Sequence, residues 1–270
     1  MPPRSKLGHL LSWARSIFIF DPLIYLYTMV LGTGSLVCSL WDKSGRVQHK
    51  FARLWSWLIL KTSLCPPEVV GLDRIDTSRP HLYAANHISA FDIPALYVGL
   101  PFQFRIMAKQ ELFRYPFLGW HLRRSGQVPI NQQSPGSAIQ SLKRSVKTLR
   151  DGMPLVIFPE GGRSETGHIQ PFQSGAFFIA IKAQVDIVPI AIVGSYEVLK
   201  QNTYHIKPGP IRMIFGDPIS TAGCHLRDMD AISNRVRDAV ADMYYVHHPR
   251  FTDPRQKTIA PEQETTDAKS

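Results

Sequence analysis

The stretch HLYAANHISAFDIPALYVGL, residues 81–100, decides how this chain is read. Its first part, HLYAAN, is a short apolar run of strand length, and its last part, DIPALYVGL, has the length and texture of a helix. Between them, Asn86–Asp92 reads NHISAFD, with His87 and Asp92 separated by four residues. On one continuous helix, at about 100° per residue, these two side chains point in different directions. A strand-to-turn-to-helix passage brings them together, with His87 at the strand end and Asp92 in or near the first helical turn. A carboxylate on one imidazole nitrogen then fixes the tautomer, and the other nitrogen is free to take a proton from a hydroxyl. Taken alone, the pattern fits a capped turn better: Ser89 can serve as the cap, and ten histidines make a chance spacing unsurprising.

A second stretch changes the weighing. Phe158–Ser164 reads FPEGGRS and also follows an apolar strand, PLVI. Strand ends are where open α/β sheets bind ligands. Gly161 and Gly162 allow the backbone to approach a ligand closely. Arg163 offers a planar fork suited to phosphate oxygens. Glu160 is placed to hold that arginine or to accept a substrate hydroxyl. In isolation, a tight turn with a surface salt bridge explains the stretch equally well. Lys109–Trp120, KQELFRYPFLGW, adds a cation followed by aromatics, and Ile187–Ile192, IVPIAI, adds a strand carrying Pro189. A proline in a strand predicts an edge or an end.

Around these stretches, apolar strands alternate with helical patterns, which predicts an α/β layered domain. FQFRIMA, DIVPIAIVG and PIRMIFGDPI read as further strands, and SGAFFIAIKAQV as a buried helix. SPGSAIQSLKRSVKTLRDG reads as a complete helix, with Ser134 as N-cap, Pro135 in the first turn and Gly152 as the stop. Ile139, Leu142, Val146 and Leu149 form its apolar stripe, and its basic residues read as a solvated face. Leu226, Met229, Ile232, Val236, Val240 and Met243 space out as a last amphipathic helix.

The first quarter differs. Pro22–Trp41 has about the length needed to cross a hydrocarbon core and carries no formal charge. Asp21-Pro22 is expected to break the helix at its start. LWSWLIL, between Arg53 and Lys61, is too short to span and is rich in Trp, as interfacial helices are. Membrane contact is therefore expected, either as a single span or as a helical hairpin in one leaflet. The division that results is 1–65 for membrane-associated helices, 66–250 for a catalytic domain and 251–270 for a polar, disordered tail.

Composition narrows the partners. The formal net charge is +10, which implies an anionic partner. The basic residues are scattered and no nucleic-acid module is present, so a membrane or a phosphorylated substrate is expected rather than nucleic acid. The three cysteines, Cys38, Cys65 and Cys224, form no C-x-x-C, so neither a disulfide framework nor a metal site is expected. A hydrolase could use a His–Asp pair, but no G-x-S-x-G occurs. A non-catalytic membrane-surface lipid binder is the remaining alternative to an enzyme.

The ordered set NHISAFD, KQELFRYPFLGW, GQVPIN, FPEGGRS and IVPIAI resembles the lysophosphatidic acid acyltransferases, the 1-acylglycerol-3-phosphate O-acyltransferases among the glycerolipid acyltransferases. The likeness covers about residues 45–220. It implies a mixed sheet flanked by helices with an N-terminal membrane-binding helical segment. It also implies acyl transfer from acyl-CoA or acyl-carrier protein to the sn-2 hydroxyl of 1-acylglycerol 3-phosphate, giving phosphatidic acid, with no cofactor. By this resemblance His87 is the catalytic base and Asp92 its partner. Glu160, Gly161, Gly162, Arg163 and Ser164 form the acceptor-phosphate motif, Lys109 is a basic position beside the same phosphate, and Pro189 belongs to a motif that shapes the site or binds the donor. It further implies a membrane-associated enzyme with its catalytic domain on the cytoplasmic face. Two departures bear on the acceptor. Gln132 stands where the family commonly has Arg, and Gly162 where it commonly has Thr, so an acyltransferase for a different lysolipid or hydroxylated lipid is the second reading.

Overall fold

The computed structural model describes residues 6–131, 135–248 and 250–255. Gln132, the expected cap Ser134 and the tail beyond Arg255 lie outside the described residues. In chain order the elements are Lys6–Arg15 (α1), Asp21–Cys38 (α2), Arg46–Thr62 (α3), Pro67–Val70 (β1), Leu82–Ala85 (β2), Asp92–Gly99 (α4), Arg105–Lys109 (β3) and Leu118–Arg124 (α5). They continue with Val128–Ile130 (β4), Pro135–Arg150 (α6), Leu155–Ile157 (β5), Phe178–Ala183 (α7), Ile187–Val193 (β6), Ser195–Val198 (α8), Ile211–Phe215 (β7) and Met229–His247 (α9).

The strands form one seven-stranded sheet in the order β1-β7-β6-β2-β5-β3-β4. Every neighbouring pair is parallel except β6 and β7, which run antiparallel. The central strands β2, β5 and β6 are buried along their whole length, which is why they read as unbroken apolar runs. Successive side chains of β2 point to opposite faces. Tyr83 and Ala85 pack with Leu60 of α3 and Leu96 of α4, while Leu82 and Ala84 pack with Leu149 of α6, Ile181 of α7 and Val236 of α9. Each such aliphatic side chain stabilises the fold by about 1.5–3 kcal/mol when fully buried. The result is a three-layer α/β arrangement, as the alternation of elements predicts.

Several local expectations are corrected. Asp21-Pro22 does not break the first helix. Helical residues run without interruption from Lys6 to Cys38. A π-helical turn at Ser16–Phe20 precedes the proline, and the Asp21 N–H reaches back five residues to the Ser16 carbonyl. Such a wider turn absorbs the proline, which lacks a donor and crowds the carbonyl four residues before it. This 33-residue helix is long and apolar enough to cross a membrane. It lies along the domain and is fastened near both ends. Ser12 Oγ bonds His205 Nε2 at 2.9 Å, and Ser35 Oγ bonds His121 Nδ1 at 2.9 Å.

Pro189 is not at an edge. β6 lies inside the sheet, and the proline is tolerated because its partner bulges. Ile190 pairs with Phe215 and Ile187 with Ile219, so three steps on β6 face four on the facing segment. The Pro189 carbonyl still accepts the Gly216 N–H at 2.9 Å, and the missing donor falls where the ladder is already interrupted.

The division at residue 65 cuts through packing. Ala52, Ile59 and Leu60 of α3 share one core with β2 and α4. At the other end, Phe251–Arg255 is packed rather than loose. The Phe251 ring stacks on His248 at 4.4 Å, and Arg255 pairs with Asp253, Asp238 and Asp242. Ile139 of the α6 stripe is 54% exposed, unlike Leu149. The buried helix expected over 174–185 is split into a 3-10 turn at Ser174–Phe177 and α7.

Candidate active site

The strand-to-helix passage after β2 is a closely bonded turn. Asp92 opens α4, and its carboxylate folds back over the turn. One oxygen, Oδ2, accepts three hydrogen bonds: from the His87 ring Nδ1 at 2.8 Å, from the Ile88 N–H at 2.8 Å and from the Ser89 N–H at 2.9 Å. Asp92 is fully buried, and the His87 side chain is 18% exposed. With Nδ1–H donating to the carboxylate, a neutral ring presents the lone pair of Nε2, which has no protein partner among the described residues. The Ser89 hydroxyl donates to the Leu199 carbonyl at 2.7 Å and accepts the Phe91 N–H at 3.3 Å, so it caps the turn while Asp92 holds the histidine.

The FPEGGRS loop after β5 holds His87 on its other sides. The Phe158 ring stacks on the imidazole with centroids 4.1 Å apart and planes 21° from parallel. Glu160 Oε1 accepts the His87 backbone N–H at 2.7 Å, and the Ser164 N–H donates to the His87 carbonyl at 2.8 Å. Both backbone polar groups of His87 are thus fixed by one loop, and its ring is fixed on edge and face. Gly161 closes that loop with φ of 75° and an N–H bond to the Phe158 carbonyl at 3.0 Å, a left-handed conformation that glycine adopts without strain.

The roles inside the loop therefore divide. Glu160 has both oxygens turned to backbone donors, since Oε2 accepts the Gln170 N–H at 2.9 Å. It forms no ion pair with Arg163 among the described residues. Ser164 is buried, and its hydroxyl donates to the His168 carbonyl at 2.7 Å, so it too holds the loop. Arg163 and Lys109 are exposed, with no ion pair or side-chain hydrogen bond among the described residues. Lys109 Nζ lies 3.9 Å from where a β-carbon on Gly162 would stand. A side chain at that position would thus come into ordinary contact with the ammonium.

Burial pushes the Glu160 carboxyl up to about 8, against the opposing pull of the two backbone donors. A carboxyl raised on folding stabilises the fold fully below its ordinary range near 4.5, and that contribution is lost as pH rises through about 8. The urea midpoint is therefore expected to fall across this interval. In Glu160→Gln this pH dependence disappears, and one backbone N–H loses its acceptor at a cost of about 1–3 kcal/mol. Urea unfolding at several pH values measures both effects.

An apolar cavity of about 280 Å³ is lined in part by the start of α4 and the end of β3. Its walls include Ile93, one residue past Asp92, and Ala108, one residue before Lys109, and it continues between α2, α3 and α5 past Leu31, Phe51, Trp55 and Leu122.

Sequence reasoning left Asn86 and Phe158 without roles. Asn86 extends the sheet at the strand end: its side chain gives one hydrogen bond to the Ile192 carbonyl and accepts one from the Ile192 N–H. The position of Asn86, immediately before the histidine at the end of a buried strand, was a usable signal. Phe158 had none, because its contact joins two distant loops.

Fold and site define an α/β domain with a histidine–carboxylate pair and, at its strand ends, two cations without an ion pair among the described residues. Residues 66–193 match the family model described as "Acyltransferase". The chain is 33% identical over 193 residues to the chloroplastic 1-acyl-sn-glycerol-3-phosphate acyltransferase BAT2 of Brassica napus, covering 69% of this chain and 55% of that one. It is 32% identical over 209 residues to the chloroplastic 1-acyl-sn-glycerol-3-phosphate acyltransferase LPAT1 of Arabidopsis thaliana, covering 75% and 56%. Over 244 residues it is 28% identical to the Saccharomyces cerevisiae 1-acyl-sn-glycerol-3-phosphate acyltransferase, covering 88% and 79%. The fold is similar to the crystal structure of the 1-acyl-sn-glycerophosphate acyltransferase PlsC from Thermotoga maritima, with a TM-score of 0.71 at 23% identity, covering 88% of this chain and 95% of that one. The chain thus belongs to the acyltransferase family that its motifs resemble. It spans 55% and 56% of the length of the first two of these relatives.

Proposed function

We propose that this protein transfers a fatty acyl group from a thioester donor, acyl-CoA or acyl-carrier protein, to the sn-2 hydroxyl of 1-acylglycerol 3-phosphate, giving phosphatidic acid. The observation that carries this reading is the His87 Nδ1–Asp92 Oδ2 contact of 2.8 Å, with Nε2 unpartnered among the described residues and Arg163 on the loop that bonds the His87 backbone. His87 Nε2 takes the hydroxyl proton as the oxygen attacks the thioester carbonyl. The carbon–sulfur bond breaks, and the leaving thiolate takes the proton back from the imidazolium. Asp92 stabilises the imidazolium while it exists. The reaction so written moves one acyl group and one proton and calls on no cofactor. Lys109 and Arg163 hold the acceptor phosphate, while Glu160 and Ser164 keep the histidine's loop in place. The apolar cavity takes an acyl chain. The long N-terminal helix holds the protein at a membrane, with the catalytic domain on the cytoplasmic face.

The test is acyl transfer from acyl-CoA and from acyl-carrier protein across a panel of lysolipids. Preference for the phosphate monoester supports the reading, and equal rates with head groups lacking phosphate would sink it. Release of free fatty acid without acceptor would indicate a hydrolase instead. Lys109→Ala and Arg163→Ala are each expected to raise KM for lysophosphatidic acid about 10-fold or more, from the loss of a charge-assisted bond worth ~1.5–3 kcal/mol. The same variants should leave KM for the acyl donor unchanged in steady-state assays.

A further inference from the structure

Between β3 and α5 the chain makes a projecting knuckle. Tyr115 is 59% exposed, Phe117 47%, Leu118 45% and Trp120 48%. The knuckle is built, not loose. Phe117 has φ of 59° and ψ of −63°, and the Leu118 N–H donates to the Pro116 carbonyl at 2.7 Å. This is a γ-turn of the rare positive-φ kind, a strained conformation for a bulky side chain. Gly119 closes it from below: a β-carbon there would stand 2.2 Å from the Phe113 carbonyl oxygen. Phe113 is buried, and the Arg123 guanidinium donates to its carbonyl. Backbone strain of about 1–3 kcal/mol is thus sustained to hold a row of aromatic side chains in water.

What covers the knuckle is indicated by its surroundings. α5 packs on α2, joined through the Ser35–His121 bond, and the α2 residues Tyr25, Leu26, Met29, Val30 and Val37 are exposed as well. The exposed apolar residues of α2 thus belong to a helix packed directly against the one that the knuckle leads into. Arg114 and Arg124 stand exposed at either end of the knuckle, on a chain of net charge +10. Tyr and Trp between basic residues are the composition of a membrane–water boundary facing anionic lipid. Phe117 and Leu118 also line the apolar cavity that begins beside Ile93 and Ala108. The cavity therefore reaches the surface at the knuckle.

We propose that the Tyr115–Trp120 knuckle inserts into an anionic lipid bilayer beside α2 and forms the lip over which acyl chains pass sideways from the leaflet into the cavity. The chemistry of what passes rests on the proposed acyl transfer; the contact with lipid does not, and it is measured without turnover. The probe is a vesicle of phosphatidylglycerol and phosphatidylcholine. Tyr115 and Trp120 lie outside the cavity wall, so Tyr115→Ser/Trp120→Ser should weaken vesicle binding by about tenfold or more. It should lower transfer to vesicle-embedded acceptor in parallel, and leave transfer to a water-soluble short-chain acceptor unchanged. With brominated lipids, tryptophan quenching should lose one component in Trp120→Phe, a variant that keeps the aromatic ring and serves if the double variant is unstable. Unchanged quenching in Trp120→Phe would place the knuckle in water and overturn the proposal. So would a wild-type dimer that the double variant dissociates, which would assign the surface to a second copy of the chain.

Discussion

Replacing His87 with alanine is expected to lower the rate of acyl transfer by about 10²–10⁴-fold, the usual contribution of a positioned general base, with little effect on KM for either substrate. The side chain is held by Asp92 on its edge and Phe158 on its face, while its backbone is held separately by Glu160 and Ser164. The alanine variant therefore keeps the loop-to-loop bonds, and its thermal transition should lie close to wild type. Steady-state kinetics with acyl-CoA and lysophosphatidic acid, beside a melting curve, make the comparison. Full activity in a folded His87→Ala protein would remove the histidine from the mechanism.

Asp92→Asn is expected to be nearly as severe, for a different reason. Asp92 Oδ2 accepts from the imidazole and from two backbone N–H groups, all within 2.9 Å. An amide can set its oxygen on the same three donors, but its NH2 then occupies the buried Oδ1 position, which has no partner among the described residues, and it carries no charge to stabilise the imidazolium. Where the carboxylate behind a catalytic histidine has been made an amide in a serine protease, the rate fell by about 10⁴, and a loss of about 10²–10⁴ is expected here. Unlike His87→Ala, this variant should also lose about 1–3 kcal/mol of stability from an unsatisfied buried donor. Steady-state kinetics beside urea unfolding separate the two effects: His87→Ala loses rate alone, and Asp92→Asn loses both rate and stability.

Much of this was legible in one stretch. An apolar strand, a polar turn and an aspartate opening a helix predict the meeting of His87 and Asp92, because the spacing works in that setting and fails on a continuous helix. The buried strands β2, β5 and β6 read clearly for the same reason that they are central: both faces are covered, so their sequences are uninterruptedly apolar. β1 and β4 did not read. Val69 and Val70 of β1 are largely exposed, and Val128–Ile130 is three residues long, so each is a strand only because a neighbour pairs with it. The antiparallel setting of β7 and the bulge opposite Pro189 depend on long-range pairing, which local pattern does not record. The roles of Glu160 and Ser164 were hidden similarly. Nothing in FPEGGRS says that its carboxylate and hydroxyl face inward, since their partners, His87, His168 and Gln170, are known only once the loops are folded together.

The fastening of the first helix has a geometric consequence. Ser12 and Ser35, about 35 Å apart along a helix rising 1.5 Å per residue, are both tied to the catalytic domain. A helix fastened to the domain at two such points neither swings away from it nor turns on its own axis. Its exposed residues, Tyr25, Met29 and Val30 among them, therefore keep one setting relative to His87. Whatever surface they meet, the site stands from it at a height and tilt that the fold has already set.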